Sequence, residues 1–263
     1  HGTFESGIMK MLAIGLGKQY GASICHRRGF AEMPVNIPSF GRTCLREAGI
    51  PFAVGIVENA FHQTHTVRAI PNERVEAEEP ELLNLARSLM PVIPFEKVDV
   101  LMLEQIGKDI SGDGMDPNVV GRGFDFRARP WLHRIGVLDL SPKTGGNFNG
   151  IGNADATTRR VLEKCSFEET FPNAITSIGT EYLRIPAVMD SDKLCMQMCL
   201  RTCPDLGEPL KVVWLKDTLH MGEFYASVSL MDEIEASPVL SAGGTVYEIQ
   251  WDAGENYAAF LAV

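Results

Sequence analysis

A lysine and a histidine lie sixteen positions apart near the start of the chain, at Lys10 and His26. They belong to an otherwise apolar, glycine-containing segment with the sequence HGTFESGIMKMLAIGLGKQYGASICH. A lysine among apolar residues extends to solvent in most cases and is otherwise held for chemistry, because an uncompensated ammonium in a core is costly. A lysine amine can form a covalent bond to a cofactor, and a neutral imidazole is a common metal ligand. The pair therefore marks a candidate covalent and metal-binding site.

The apolar pattern around Lys10 predicts that this lysine lies inside a helix. Residues 15–18, with the sequence GLGK, are expected to end that helix, since glycine commonly follows the last helical turn. His26 then belongs to the following segment. The residues that recur at helical spacing are Phe4, Ile8, Met11, Leu12 and Ile14.

A second polar segment, residues 107–122, has the sequence GKDISGDGMDPNVVGR and no helical or strand period. It follows residues 97–105, KVDVLMLEQ, which read as a parallel strand covered on both faces. Ligands of open α/β sheets bind beyond the carboxyl ends of the strands, so this loop is a candidate substrate site. Lys108, Asn118 and Arg122 could supply its cations and donors. An ordinary long connection is the alternative interpretation.

Other chemically reactive residues give weaker patterns. Cys195, Cys199 and Cys203 share one helical face, but small buried hydrophobes are a more frequent role for such thiols than a metal cluster. His62 and His65 form an H-x-x-H pair without the glutamate of a zinc motif, and a structural role is favoured for both. The isolated histidines 133 and 220 receive the same interpretation. No phosphate-binding loop, dinucleotide fingerprint or serine nucleophile elbow is present.

Composition restricts the class of protein. The 263 residues are 45% hydrophobic and 22% charged, as in an ordinary folded protein. A net charge of −10 and a pI of about 5.1 argue against nucleic acid or an anionic membrane as partner, so a small molecule is expected. No apolar run reaches the roughly 18 residues of a membrane helix, and no signal segment is evident, which favours a cytoplasmic protein with reduced cysteines. Because the chain opens at His1, we expect a fragment or a processed product. The sequence leaves open whether the protein forms a homo-oligomer.

The order of predicted elements indicates an α/β fold of two lobes, with mixed or parallel sheets covered by helices. Pro91 and Pro94 interrupt the pattern, and we place the boundary between residues 1–93 and 94–263. A proline-bounded loop is predicted at 34–38. Strands are predicted at 52–57, 64–70, 97–105, 131–140, 185–189, 212–215 and 245–251, and the apolar run at 52–57 indicates a buried strand. Helices are predicted at 39–48, 76–90, 154–163, 171–177 and 192–202, the last capped by Ser191 or Asp192.

The segments ESGIMKMLAIGLGKQYGASICH and GKDISGDGMDPNVVGR resemble proteins that carry the lactate-racemase domain. The best-understood members of this family use a nickel-pincer nucleotide, a pyridinium mononucleotide bound to a lysine through a thioamide. A histidine sixteen residues after that lysine completes a nickel site begun by two sulfurs and a ring carbon. Lys10 and His26 match this spacing, and residues 1–93 would form the C-terminal part of the cofactor-anchoring lobe.

The resemblance implies a racemase or epimerase of a 2-hydroxy acid or sugar acid. One histidine would take the hydroxyl proton while hydride passes between the α-carbon and the cofactor. Ser6, Gly7 and Lys18, which lie near Lys10 in the sequence, are expected to contact this cofactor. The family has paired glycines before the lysine, where this chain has Gly7-Ile8-Met9, and its two acid/base histidines lie upstream, where only His1 is available. A non-catalytic small-acid-binding or scaffold protein of the same fold is the alternative. A different metalloenzyme using the H-x-x-H pair or the cysteine helix is a third hypothesis.

Overall fold

The computed structural model describes residues 3–4, 6–123, 129–204 and 207–263. The chain forms two compact units: His1–Pro91 with Pro172–Gly179, and Val92–Phe171 with Thr180–Val263. Within the described ranges, no helix has the length and apolar character that a bilayer crossing requires. The predicted α/β fold is confirmed, since helices accompany a largely parallel sheet.

The first unit packs helices on one face of a two-stranded antiparallel hairpin. Its core is formed by apolar residues that include Ile8, Met9, Val57, Ile70 and Leu82. A single π-helical turn, Met11–Gly15, follows the first helix directly. The elements are α1 (Ile8–Lys10), α2 (Lys18–His26), α3 (Met33–Glu47), β1 (Phe52–Glu58), β2 (Thr64–Pro71) and α4 (Val75–Leu89).

Two expectations for this unit are wrong. Residues 34–38 are helical and form the start of α3, because Pro34 occupies the first turn, where a missing N–H costs nothing. The strand predicted at 52–57 is present as β1 but is not buried throughout, since Phe52, Val54 and Ile56 point to its open face. Only one side of a two-stranded hairpin is covered by helices here.

The second unit contains a six-stranded sheet in the order β6-β5-β4-β3-β7-β8. The pairs between β3 and its neighbours β4 and β7 are parallel, as are β4–β5 and β5–β6, and only β8 runs antiparallel. The strands are β3 (Lys97–Leu103), β4 (Trp131–Val137), β5 (Ala156–Thr158), β6 (Ala187–Met189), β7 (Val212–Leu215) and β8 (Tyr225–Ala226); β9 (Tyr247–Trp251) and β10 (Tyr257–Ala262) form a separate hairpin.

The helices that follow in the described ranges are α5 (Pro117–Val120), α6 (Arg159–Lys164), α7 (Phe167–Ser177), α8 (Asp192–Arg201) and α9 (Met231–Ala236). All belong to the second unit except the part of α7 from Pro172 onward, which belongs to the first. The predicted cap of α8 is confirmed, since the hydroxyl of Ser191 accepts the N–H of Leu194 at 3.3 Å. The helix predicted at 154–163 is wrong in its first half, where β5 adds to the sheet before α6 begins.

The strand β3 is the centre of the second unit. Every residue after Lys97 in this strand is buried, as predicted for a parallel strand covered on both faces. Leu101 and Leu103 belong to one apolar cluster, while Val100 and Met102 belong to another that includes Trp214, Cys195 and Cys199. Polar residues that follow β3 therefore emerge at the carboxyl edge of the sheet.

Candidate functional site

The first N–H groups of the helix that carries Lys10 bond to a buried carboxylate. Glu79 of α4 is 2% exposed, and its Oε2 accepts the N–H of Met9 at 2.9 Å. The N–H of Ile8 also donates to this carboxylate. The first N–H groups of a helix have no partner within the helix, so Glu79 satisfies groups that the short α1 leaves open. Burial raises the pKa of Glu79, and the two N–H donors oppose part of that rise.

Gly7 allows this close approach between α1 and α4. Its φ of 130° lies where side chains are rarely tolerated, and a Cβ at this position would lie 2.6 Å from Oε1 of Glu79. Oε1 is buried and has no hydrogen-bond partner in the part of the chain described. The glycine before Lys10 is therefore required by backbone conformation and by the neighbouring carboxylate.

Lys10 is the last residue of α1 and is half-buried. Among the described residues, no hydrogen bond or ion pair holds its ammonium. The π-helical turn begins at the next residue and closes with a bond of 2.8 Å from the N–H of Leu16 to the carbonyl oxygen of Met11. Such turns are rare and often occur at functional sites, because they displace side chains from the regular helical path.

Ser6 and Lys18, the other residues predicted at the cofactor, are both exposed. Lys18 has a φ of 52°, a left-handed conformation that a lysine seldom adopts. It is the first residue of α2, where the chain turns after the π-helical segment. A strained residue at this position favours a functional role for the turn.

His26 ends α2 and is half-buried. Its Nδ1 lies 2.7 Å from the carbonyl oxygen of Ala22. Because a carbonyl only accepts, Nδ1 carries the proton in this contact, and the neutral ring has its lone pair on Nε2. Metal-binding histidines commonly have this arrangement, with the second nitrogen bonded to a backbone carbonyl.

The elements that carry Lys10 and His26 share a support. α1, the π-helical turn and α2 all contact α3, and α2 also contacts the turn that follows Lys10. The thiol of Cys44 on α3 bonds to the carbonyl oxygen of Leu12 at 3.6 Å. The helices of Lys10 and His26 thus pack on the same helix, α3, whereas α1 and α2 make few contacts with each other.

The three residues predicted at the substrate, Lys108, Asn118 and Arg122, belong to the second unit. Arg122 is 8% exposed, and both terminal nitrogens of its guanidinium bond to protein. These bonds reach the carboxylate of Asp155 at 2.6 Å and the carbonyl oxygens of residues 132, 133 and 153. The guanidinium therefore ties the end of the loop to the sheet.

Lys108 and Asn118 are more accessible. The Nζ of Lys108 donates to the carbonyl oxygen of Gly112 at 2.6 Å, and burial lowers the pKa of this ammonium. Asn118 is exposed and donates from its side chain to Asp116 at 3.1 Å. Asp116 also caps α5. The structure thus brings these residues into one loop, with Lys108 and Asn118 at its surface.

The other candidate metal ligands do not form a cage. Within the described ranges, no group of three or more His, Cys, Asp or Glu side chains could hold a metal ion. Cys195 and Cys199 are buried in the apolar cluster beneath α8, and their mutual hydrogen bond together with burial raises the pKa of Cys195. His62 and His65 are exposed on the β1–β2 hairpin. His1, predicted as an acid/base residue, lies outside the described residues.

Two groups were not predicted from the sequence. Glu79 lies within the helix predicted at 76–90, and no spacing in the sequence connects it to Lys10. His220, treated as isolated, bonds to the buried Asp217 three residues before it. A carboxylate close before a histidine is the only sequence signal for that pair.

The fold and site together define a two-unit α/β protein with a lysine-bearing helix that begins on a buried carboxylate and a histidine held by its Nδ1. No protein-family model matches the chain, and neither a curated protein nor a solved structure matches it. Its function is therefore inferred from the residues themselves.

Proposed function

We propose that this protein is a racemase or epimerase of a 2-hydroxy acid or sugar acid that depends on a nickel-pincer nucleotide. The proposal starts from the resemblance of residues 5–26 and 107–122 to lactate-racemase-domain proteins. The single observation that supports it best is the bond of 2.7 Å between Nδ1 of His26 and the carbonyl oxygen of Ala22. That bond leaves an Nε2 lone pair sixteen residues after a half-buried lysine.

In this proposal the Lys10 amine is the covalent attachment point, and Nε2 of His26 is the protein's nickel ligand. When bound, the nucleotide would supply the hydride acceptor for the α-carbon of the substrate. One protein ligand suffices, because the resemblance assigns the remaining ligands to the nucleotide. A site that needs only one histidine is compatible with a chain whose described residues contain no cluster of three metal ligands.

The surrounding residues hold the attachment point in place. Glu79 fixes the start of α1 through Met9, and Gly7 gives the carboxylate room, so the position of Lys10 is set from its N-terminal side. Ser6 and Lys18 are proposed to contact the nucleotide, since both are exposed at the ends of this segment. His1 stays a prediction for the acid/base step.

The proposed substrate is a small anion, and the protein is proposed to act in the cytoplasm. Lys108 and Asn118 are retained as candidate substrate contacts because their polar groups lie at or near the surface of the loop. Arg122 is a weaker candidate, since its terminal nitrogens already bond to four protein acceptors.

Mass spectrometry of the intact protein tests the attachment. The chain is produced together with the enzymes that make the nucleotide, and nickel is measured by elemental analysis. We expect a mass adduct on Lys10 that is absent from Lys10→Arg, which keeps the charge but cannot form the thioamide. His26→Ala should retain the adduct and lose most of the nickel, whereas the exposed His65→Ala should retain both.

An unmodified Lys10 in the co-produced protein contradicts the proposal. Tight binding of a small hydroxy acid by such an unmodified protein would instead favour the alternative, a non-catalytic binding or scaffold protein. An adduct on Lys10 with nickel unaffected by His26→Ala would contradict the assignment of the metal ligand alone.

A further inference from the structure

A buried aspartate holds His220 at the carboxyl edge of the second unit's sheet. Asp217 has no exposed surface, and its Oδ1 lies 2.8 Å from Nδ1 of His220. The same oxygen accepts the N–H groups of Leu219 and His220 at 2.9 Å. Its Oδ2 accepts the side-chain N–H of Gln105 at 3.0 Å. The carboxyl group is thus surrounded by donors.

These contacts determine whether Asp217 is ionised and which nitrogen of His220 carries a proton. Burial opposes ionisation of Asp217, but the hydrogen bonds from Gln105, His220 and Leu219 outweigh it, and the pKa of this carboxyl lies below its ordinary value. A carboxylate only accepts, so Nδ1 of His220 carries a proton and the neutral ring has its lone pair on Nε2. The His220 side chain is 55% exposed, which leaves the ring accessible to a ligand. An aspartate that orients an accessible histidine is the arrangement of a general base.

The pair lies where an open α/β sheet usually binds ligands. β4, β5 and β6 extend from one side of β3, and β7 lies on the other side, so the strand order reverses between β3 and β7. Gln105 follows β3, Asp217 follows β7, and the N–H of Gln105 bonds to the carbonyl oxygen of Lys216 at 3.1 Å. Ligands of such sheets bind beyond the carboxyl ends of the strands at this reversal.

A polar cleft at the same edge of the sheet shares Gln105 with the hydrogen bonds of Asp217, although neither Asp217 nor His220 lines it. It has a volume of about 350 Å³, and its walls carry carboxylates, an amide, two cations and a phenol ring. Burial raises the pKa of Tyr257 to about 12, so its hydroxyl stays a donor at neutral pH. Charges of both signs next to an aromatic ring suit neutral hydroxyl groups better than a strongly charged ligand. The groups that carry this argument are Glu104, Gln105, Asp139, Arg160, Lys216 and Tyr257.

We propose that this edge is a second small-molecule site, which takes a polyhydroxylated, sugar-type ligand with His220 and Asp217 as a general-base pair. Nε2 of His220 takes the proton of a ligand hydroxyl, whose oxygen keeps the bonding electron pair. The imidazolium that forms donates from Nδ1 to the Asp217 carboxylate, which balances its charge. The site depends only on the second unit and does not require a group on Lys10.

Chemical modification of the full chain tests the pair. Diethyl pyrocarbonate acylates the unprotonated nitrogen of accessible imidazoles, and peptide mass spectrometry gives the rate at each histidine. His65 is the internal comparator, since it is exposed and its Nδ1 contacts the hydroxyl of Thr66 at 2.8 Å, where His220 has a carboxylate. We expect His220 to react several times faster than His65, and Asp217→Asn to remove that difference in protein shown by circular dichroism to be folded.

Protection by ligands tests the cleft. D-glucose, D-mannitol and D-gluconate serve as probes, with succinate as a control that lacks hydroxyl groups. At least one polyol should slow acylation of His220 without affecting His65. Tyr257→Phe, which removes only the phenol hydroxyl, and Lys216→Ala at the exposed rim should weaken this protection while leaving the unprotected rate unchanged. Equal rates at His220 and His65 in the wild type, or protection by none of the polyols, would overturn the proposal.

Discussion

The carboxyl group of Glu79 occupies a buried position that opposes its ionisation, and this gives the protein a pH-dependent contribution to stability. Its pKa in the folded state is raised above that in the unfolded chain. The folded state therefore binds the proton more tightly than the unfolded chain. The stability gained from this proton is fully present below the unfolded pKa, which is about 4.3. It is lost as pH rises through the higher folded pKa.

Glu79→Gln should isolate this contribution. The amide oxygen can still accept the N–H of Met9, but it carries no charge at any pH. The free energy of unfolding of the variant, taken relative to wild type, should therefore increase as the pH rises from the unfolded pKa of Glu79 through its higher folded pKa. Urea unfolding at several pH values measures it. The exposed Glu73→Gln is the control, and an equal pH dependence in both variants would contradict the assignment to Glu79.

At the level of single residues, the sequence could identify only those groups whose partners are near in the chain or known from a family pattern. Lys10 and His26 were selected by such a pattern, and that selection stays a prediction. Glu79 was missed because its partner Met9 lies 70 positions away. His220 was discounted as isolated because the burial of Asp217 and its bond to Gln105, 112 positions away, depend on the tertiary fold.

At the level of elements, periodicity predicted the long and strongly patterned segments. The strand at 97–105, the helix at 76–90 and the capped helix at 192–202 all occur close to their expected bounds. The helix predicted at 154–163 is wrong only in its first half, because the three residues of β5 are too short to show a period of two. β10 was not predicted, although its partner β9 was. The π-helical turn after Lys10 has no known sequence signature and was read as ordinary helix.

The junction between α1 and α4 gives an element-scale prediction. Gly7→Ala places a Cβ in a strained backbone conformation and 2.6 Å from Oε1 of Glu79, so it should lower the free energy of unfolding by about 2 to 4 kcal/mol. Gly29→Ala is the matched control, since Gly29 also has a positive φ, of 87°, but nothing lies within 4 Å of the added carbon. Gly29 has a ψ of 171°, so its backbone conformation is also one that glycine almost alone adopts, and we expect Gly29→Ala to cost about 1 to 2 kcal/mol from strain alone, less than Gly7→Ala. Chemical denaturation compares the two, and equal losses would show that the carboxylate contact is unimportant.

At the level of the whole molecule, the apolar residues form separate cores. The cluster that contains Met9 and Val75 draws only on the first unit, whereas the clusters around Leu101 and Trp214 draw only on the second. Composition and element order could predict an α/β protein, because both follow from local patterns. Residues 172–179 belong to the first unit although the chain around them belongs to the second, and such long-range assignment leaves no signal in local periodicity.

Separate cores predict separate unfolding transitions, and the tryptophans make this measurable. All three lie in the second unit, at positions 131, 214 and 251, and Trp214 is 2% exposed, so their fluorescence reports that unit alone. Far-ultraviolet circular dichroism reports the helices of both units. Gly7→Ala should therefore shift the part of the dichroism transition that comes from the first unit to lower urea concentration and leave the tryptophan transition in place, because each core is lost cooperatively by itself. A parallel shift of both signals would mean that the two units unfold as one.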